Sequence, residues 1–179
     1  FYTNQKARLI GIKGNFDDCQ NIVKTVFTSM NNLRNIKLSS ANSINIGRLL
    51  PQIIYYFYAY FKMVNQNEIL YGESINVVVP TGNFGNILAC YIAKKMGLFI
   101  NKIICASNEN NILTDFFNTK IYNCNRPFYL TNSPAMDILI SSNLERLLFI
   151  ITDGNYKLVD KLMKDLKEKN SFYLPKQYH

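Results

Sequence analysis

The stretch "PTGNFGNI" (80–87) stands between an apolar run, "INVVV" (75–79), and a second one, "ILACYIAKKMGL" (87–98). Two glycines and two asparagines at such a hand-over can do specific chemistry. Gly82 and Gly85 lack a Cβ, so the backbone can turn tightly and approach a ligand. Successive N–H groups then point outward, and a following helix adds its positive end and its unpaired first amides. A loop of this kind binds a phosphate with no lysine in it. Asn83 and Asn86 add amide donors or cap the helix. The common nucleotide motifs, G-x-x-x-x-G-K-[ST] and G-x-G-x-x-G, are absent, which argues against ATP or NAD. A plain glycine turn with an Asn cap accounts for this loop equally well.

A second polar stretch, "SANSINIGR" (40–48), precedes the long apolar segment 49–63. It sets Ser43, Asn45 and Arg48 at the expected start of a helix, where hydroxyl, amide and guanidinium can hold another anion. The simpler account is a Ser43 N-cap followed by one exposed arginine. Other chemistry is scarce. The one histidine is the last residue, His179, so a histidine base or histidine metal site is not expected, and no metal site is assigned. The four cysteines, Cys19, Cys90, Cys105 and Cys124, show no C-x-x-C spacing, which speaks against a zinc or redox pair. Cys90 and Cys105 lie in apolar runs as small core residues. That usage fits a reducing compartment, and the expectation is a cytoplasmic protein.

The elements that must position these residues follow from the periodicity. "ARLIGIKG" (7–14) and "NIKLSS" (35–40) read as short strands. Between them, residues 15–30 carry Cys19, Ile22, Val23, Val26, Phe27 and Met30 at helical spacing, with Asn15 as N-cap and Asp17 and Asp18 in the first turn. Residues 43–63 form a long helix in which Pro51 threatens a kink or break. Residues 74–80, with three consecutive valines, read as a strand buried on both faces, as in the interior of a parallel sheet. A helix at 84–96 stops at Gly97, a strand follows at 101–107 and a short helix at 111–117. An irregular stretch runs to 140, and two helices, 142–152 and 156–169, close the chain. In the first of these, Ser142-x-x-Glu145 reads as a capping box. The alternation predicts an α/β fold: a doubly wound, largely parallel sheet with flanking helices.

The chain has 179 residues, nearly half of them apolar, and its longest apolar stretch is too short to span a bilayer. No secretory leader precedes the first strand, and the chain starts at Phe1 without a methionine, as an excised piece would. The net charge of +8 comes from scattered lysines, and the densest patch, 157–169, interleaves Asp and Glu as a solvated helix face does. Neither a nucleic acid nor a membrane is an expected partner.

Taken together, "GNFDDCQ" (14–20), "SANSINIGRLLPQIIYYF" (40–57), "VVVPTGNFGNILACYIAKKMGL" (77–98), "ASNENN" (106–111) and "SPAMDILISSNLERLLF" (133–149) resemble threonine synthase, a pyridoxal-phosphate enzyme of the tryptophan-synthase-β-like fold, also termed fold-type II. The resemblance spans about residues 8–150 in the same order. It implies that Gly82, Asn83, Phe84, Gly85 and Asn86 cradle the phosphate of pyridoxal 5'-phosphate. It also implies that Ser43, Asn45 and Arg48 bind the phosphate of O-phospho-L-homoserine, which the enzyme converts with water to L-threonine and phosphate. The family's Schiff-base lysine lies in an F-K-D motif upstream of GNFDD, and nothing before Gly14 matches it. The one Phe-Lys pair, Phe61-Lys62, lies in a helix and precedes Met63. The resemblance therefore implies an internal segment of the enzyme, inactive alone and without a catalytic residue. Residues 1–38 would be the C-terminal part of the small domain and residues 39–179 part of the large one. Another fold-type II enzyme, a dehydratase or sulfur-transfer enzyme, and a non-catalytic phospho-ligand binder are the alternatives. An arginine aimed at a substrate phosphate distinguishes the first reading from an enzyme of unphosphorylated amino acids. "GNFDD" reads as helix capping, and Met136 and Asp137 as residues lining the approach to the site.

Overall fold

The computed structural model describes residues 9–29, 37–42 and 44–178, and the chain divides into two units, Phe1–Leu38 and Ser39–His179. In the first unit, α1 (Phe16–Ser29) starts with a reciprocal capping box. The Asp18 N–H donates to Asn15 Oδ1 at 3.1 Å, and the Asn15 N–H donates to Asp18 Oδ2 at 2.8 Å. A Cβ on Gly14 would stand 2.5 Å from Asp18 Oδ2, so the glycine of GNFDD makes room for the box. The expected strand at 7–14 does not form over residues 9–14, and that at 35–40 does not form over 37–40. Residues 7–8 and 35–36, and Met30 of the predicted apolar face, lie outside the described residues. A lone apolar run needs a neighbouring strand to become one, and no strand flanks either run among the described residues.

The second unit begins with α2 (Ile46–Asn65), which continues unbroken through Pro51. Proline removes one i→i−4 bond, here to Gly47, and both residues are exposed, where water satisfies the freed carbonyl. Next come β1 (Ile75–Pro80), α3 (Gly85–Lys95) and β2 (Ile100–Ala106), a parallel β-α-β unit with Val77 opposite Ile103 and Val79 opposite Cys105. Helix α3 is buried along Ile87, Leu88, Ala89, Cys90 and Ala93, and it stops where Gly97 turns left-handed at φ +101°.

The chain goes on through α4 (Ile112–Thr119), β3 (Ile121–Asn123), α5 (Leu144–Ile151), α6 (Tyr156–Lys169) and β4 (Ser171–Tyr173). Strands β3 and β4 pair antiparallel, placing Tyr122 opposite Phe172, and these rings stack at 5.3 Å. On α6 the charges pair at i,i+4, Asp160 with Lys164 at 2.7 Å and Asp165 with Lys169 at 2.6 Å, as a solvated face does.

One strand expectation is corrected. Among the described residues β1 pairs only with β2, so it is not an interior strand. The register partners Val78 and Ile104 are 60% and 45% exposed. A run of valines tells that a surface suits burial, but covering it takes further elements on the second face and edge.

Candidate functional site

The first amides of α3 are the core of the site. Its N-cap, Phe84, is left-handed at φ 62° and contributes no side-chain cap. The first amide of the helix to find a backbone acceptor is that of Leu88, which donates to Phe84 O at 3.2 Å. The N–H groups of Phe84, Gly85, Asn86 and Ile87 meet no acceptor among the described residues, and Gly85 is buried. The first amides of a helix have no acceptor within it, so these groups are open to an acceptor from outside the chain. The helix dipole favours an anion there, and no Asp or Glu occurs between Glu73 and Glu109 to oppose one. The residues present therefore fit a phosphate.

The loop's conformation differs from the sequence expectation. The tight turn comes from Phe84, and neither Gly82 nor Gly85 has a positive φ. Phe84 accepts that strain because its ring is buried against Phe117, with centroids 5.9 Å apart. Gly82 makes room for protein: a Cβ there would lie 3.0 Å from Ile138 Cδ1 and 3.4 Å from both Ala135 O and Met136 Cα. Asn83 and Asn86 do not cap α3. The Asn83 Oδ1 takes the Ser142 hydroxyl at 3.4 Å, and Asn86 faces α2.

That contact joins the loop to the second polar stretch. Arg48, Gln52 and Tyr56 occupy one stripe of α2 at i, i+4 and i+8. The Gln52 amide donates to Arg48 O at 2.6 Å, and Gln52 Oε1 accepts from Asn86 Nδ2 at 3.2 Å. The Tyr56 hydroxyl donates to Asn86 O at 3.1 Å and contacts Asn86 Oδ1. Burial pushes the Tyr56 pKa up, with Cys90 adding to it, so the phenol stays protonated. Arg48 is exposed and makes no ion pair among the described residues.

The N-cap of α2 is Asn45 rather than Ser43. Its Oδ1 accepts from the Gly47 N–H at 2.9 Å and its Nδ2 donates to Ser40 O at 3.1 Å, which leaves one amide hydrogen for an anion. Ser43 lies outside the described residues. The structure thus joins Asn86 through Gln52 to the backbone carbonyl of Arg48. Helical spacing could have flagged the stripe of Arg48, Gln52 and Tyr56, but not its contact with Asn86.

Two further expectations change. Asp137 does not line an open approach: it is 3% exposed. Its Oδ1 accepts from Asn108 Nδ2 (2.8 Å), Asn110 Nδ2 (3.1 Å) and Thr131 Oγ1 (2.8 Å), and its Oδ2 accepts from the Thr131 N–H at 2.8 Å. The Thr131 N–H foremost, against burial, and then these side chains hold its carboxyl below the usual range. Ser142 forms no capping box either. The N-cap of α5 is Asn143, without a side-chain cap bond, and the Ser142 hydroxyl points to Asn83.

Sequence reasoning missed one group entirely. Ser141 Oγ donates to Gly82 O at 2.5 Å, and Asn143 gives Asn83 O both its Nδ2 (2.9 Å) and its backbone N–H (3.2 Å). Arg146 donates to Asn143 Oδ1 and to Ile44 O. Only a three-dimensional arrangement could bring residues so distant in the chain together.

A parallel β-α-β unit that leaves bare amides between its first strand and helix is, in this chain, part of the α/β scaffold of fold-type II pyridoxal-phosphate enzymes. The solved structure of PLP-bound threonine synthase from Brucella melitensis matches it with a TM-score of 0.76 and 42% identity, over 93% of this chain and 34% of that one. The chain is homologous to a segment of threonine synthases. It is 39% identical to the threonine synthase of Saccharomyces cerevisiae over 97% of its own length and 35% of that protein. It is 44% identical to threonine synthase-like 1 of Macaca fascicularis over 93% of its own length and 23% of that protein. The chain thus spans about a quarter to a third of the length of these relatives. No protein-family model matches it.

Proposed function

We propose that this segment carries the two phosphate sites of a threonine synthase, an enzyme that turns O-phospho-L-homoserine and water into L-threonine and phosphate. The observation that carries the reading is the row of unpartnered amides from Phe84 to Ile87, on a turn that Asn86 joins through Gln52 to the backbone of α2 at Arg48. The amides of Gly82–Asn86 hold the phosphate of pyridoxal 5'-phosphate, which supplies the electron sink when bound. Arg48, with Asn45 and Ser43, takes the substrate phosphate as a charged fork suited to three oxygens. Phosphate leaves the substrate and water adds at Cβ. Asn86, held by Tyr56 and Gln52, sets the spacing between the two anions. An arginine presented to a phosphate favours this reading over a dehydratase or sulfur-transfer enzyme.

Residues 1–38 belong, on this reading, to the small domain and residues 39–179 to the large one. No catalytic residue is assigned within the chain, because none of its lysines sits in an F-K-D sequence. No helix among the described residues is long and apolar enough to cross a membrane, and the four cysteines are free, in keeping with a cytoplasmic enzyme. The direct test is to supply the full-length protein with pyridoxal phosphate and O-phospho-L-homoserine and to quantify threonine and phosphate. Equal amounts of both are expected. Absence of both, or phosphate without threonine, overturns the reading.

A further inference from the structure

Resting on that reading, we propose that Arg146 is a positioning residue that holds the two phosphate loops in a fixed relation, with Asn143 as its extension. The argument starts from peptide planarity. All described peptide bonds are trans, so each N–H points opposite to the carbonyl that precedes it. The Gly82 carbonyl is pinned by the Ser141 hydroxyl, which aims the Asn83 N–H the other way. The Asn83 carbonyl is pinned by two donors of Asn143, which aims the Phe84 N–H away from them. Two carbonyl dipoles that would repel a phosphate are thereby turned toward α5.

Asn143 is 0% exposed, and its own orientation depends on its Oδ1, which Arg146 holds. The second arm of the same guanidinium holds Ile44 O, in the loop that opens α2 just ahead of Asn45 and Arg48. One planar fork therefore ties the cofactor-side turn to the substrate-side turn, 102 residues away from Arg146 in sequence at Ile44. Helix α5 needs no such fork to stay in place, because Leu144, Leu147 and Leu148 already bury it. Tyr122 steadies the approach to this clamp, its hydroxyl donating to Leu139 O at 2.9 Å and accepting from the Ser141 N–H at 3.0 Å.

The test compares Arg146→Lys, Arg146→Gln and Ser141→Ala in the full-length protein. Affinity for pyridoxal phosphate and for pyridoxal, which lacks the phosphate, is read by absorbance titration. The KM for O-phospho-L-homoserine and the melting temperature are read alongside. Both Arg146 variants are expected to cut the preference for pyridoxal phosphate over pyridoxal about tenfold or more and to raise the KM by a similar factor, since each charged hydrogen bond is worth about that much. Lysine keeps the charge but cannot fork, so it should not rescue. Ser141→Ala touches only the Gly82 carbonyl and should lower the phosphate preference while leaving the KM near its starting value. If both Arg146 variants lower the melting temperature but keep the phosphate preference, Arg146 is a packing residue and the proposal fails. Full rescue by lysine overturns the fork as well. If Arg146 variants do not fold, an unchanged phosphate preference in Ser141→Ala still refutes the pinned-carbonyl argument. A wild-type protein with no preference for pyridoxal phosphate over pyridoxal instead refutes the reading of 82–86 as the cofactor cradle, and this inference with it.

Discussion

Helices α2 and α3 start from nearly the same vocabulary, Asn-Ile-Gly-Arg in one and Asn-Phe-Gly-Asn in the other, and use it in opposite ways. At α2 the Asn45 side chain turns back onto the Gly47 N–H and pairs an end amide. The anion-binding group proposed there is a side chain, Arg48, held out in solvent. At α3 the asparagines turn elsewhere, toward α2 and Ser142, and the end amides stay bare. The binding group proposed there is the backbone itself, and its shape is maintained by Phe84, Gly82 and the carbonyl pins from Ser141 and Asn143. A side-chain site can be lost with little change in fold. A backbone site is inseparable from its supports.

Arg48→Ala gives the largest functional effect and probes the side-chain site alone. Loss of a charged partner for the substrate phosphate costs about 2–5 kcal/mol, roughly 30- to several-thousand-fold in KM. Because Arg48 is exposed and unpaired among the described residues, the melting temperature and the affinity for pyridoxal phosphate should hardly move. A variant that sheds the cofactor and keeps its substrate KM would reverse the assignment of the two phosphates.

Gly82→Val probes the backbone site. Its side chain would press on Ile138, Ala135 and Met136 from 3.0 to 3.4 Å, an overpacking worth about 1–3 kcal/mol. Here melting temperature and cofactor affinity should fall together, which a titration and a thermal scan on one sample can follow. Cofactor affinity retained at full stability would mean that the turn is not dependent on its supports, and the contrast with α2 would collapse.

Asn45→Ala should cost about 1 kcal/mol through the lost cap of α2, visible in denaturant unfolding. Asn45→Asp preserves the acceptor and should restore most of it. If alanine is neutral, the cap drawn above does not stabilise α2.

The smallest effect at neutral pH concerns Asp137, in the segment that packs on Gly82. Its folded-state pKa is lowered, chiefly by the Thr131 N–H. The stability it contributes is therefore present above the ordinary carboxylate pKa, about 3.9, and is lost as pH falls through the lower folded value. Thermal scans from pH 7 down to pH 3 should be flat at first and then drop. Asp137→Asn should lessen that acid-dependent drop, and an unchanged profile would place the titrating group elsewhere.

Much of this was legible in the residues. Asn15 with Asp18, the helical stripe after Gly14, the Gly97 stop and the interleaved charges of α6 each act through neighbours a few positions away. Their structural outcomes are accordingly readable from spacing. The short strands β3 and β4 were not legible, because three residues carry too little pattern and each depends on the other across the chain. The runs at 9–14 and 37–40 failed as strands for the related reason that strand formation needs a partner.

At the site, the same division holds with more consequence. The sequence by itself determined where a glycine-bearing turn meets a helix, that no acid lies near it in the chain, and that an arginine follows an asparagine at a second helix start. Tertiary structure alone decided that Phe84 is the left-handed residue, since burial of its ring offsets a cost that the chain's local preference opposes. It also decided that Asp137 is buried among four donors and that Ser141, Asn143 and Arg146 grip turns 59 to 102 positions away. Periodicity records which face of an element is apolar, whereas the direction of a single carbonyl is set by the donors that packing happens to bring to it.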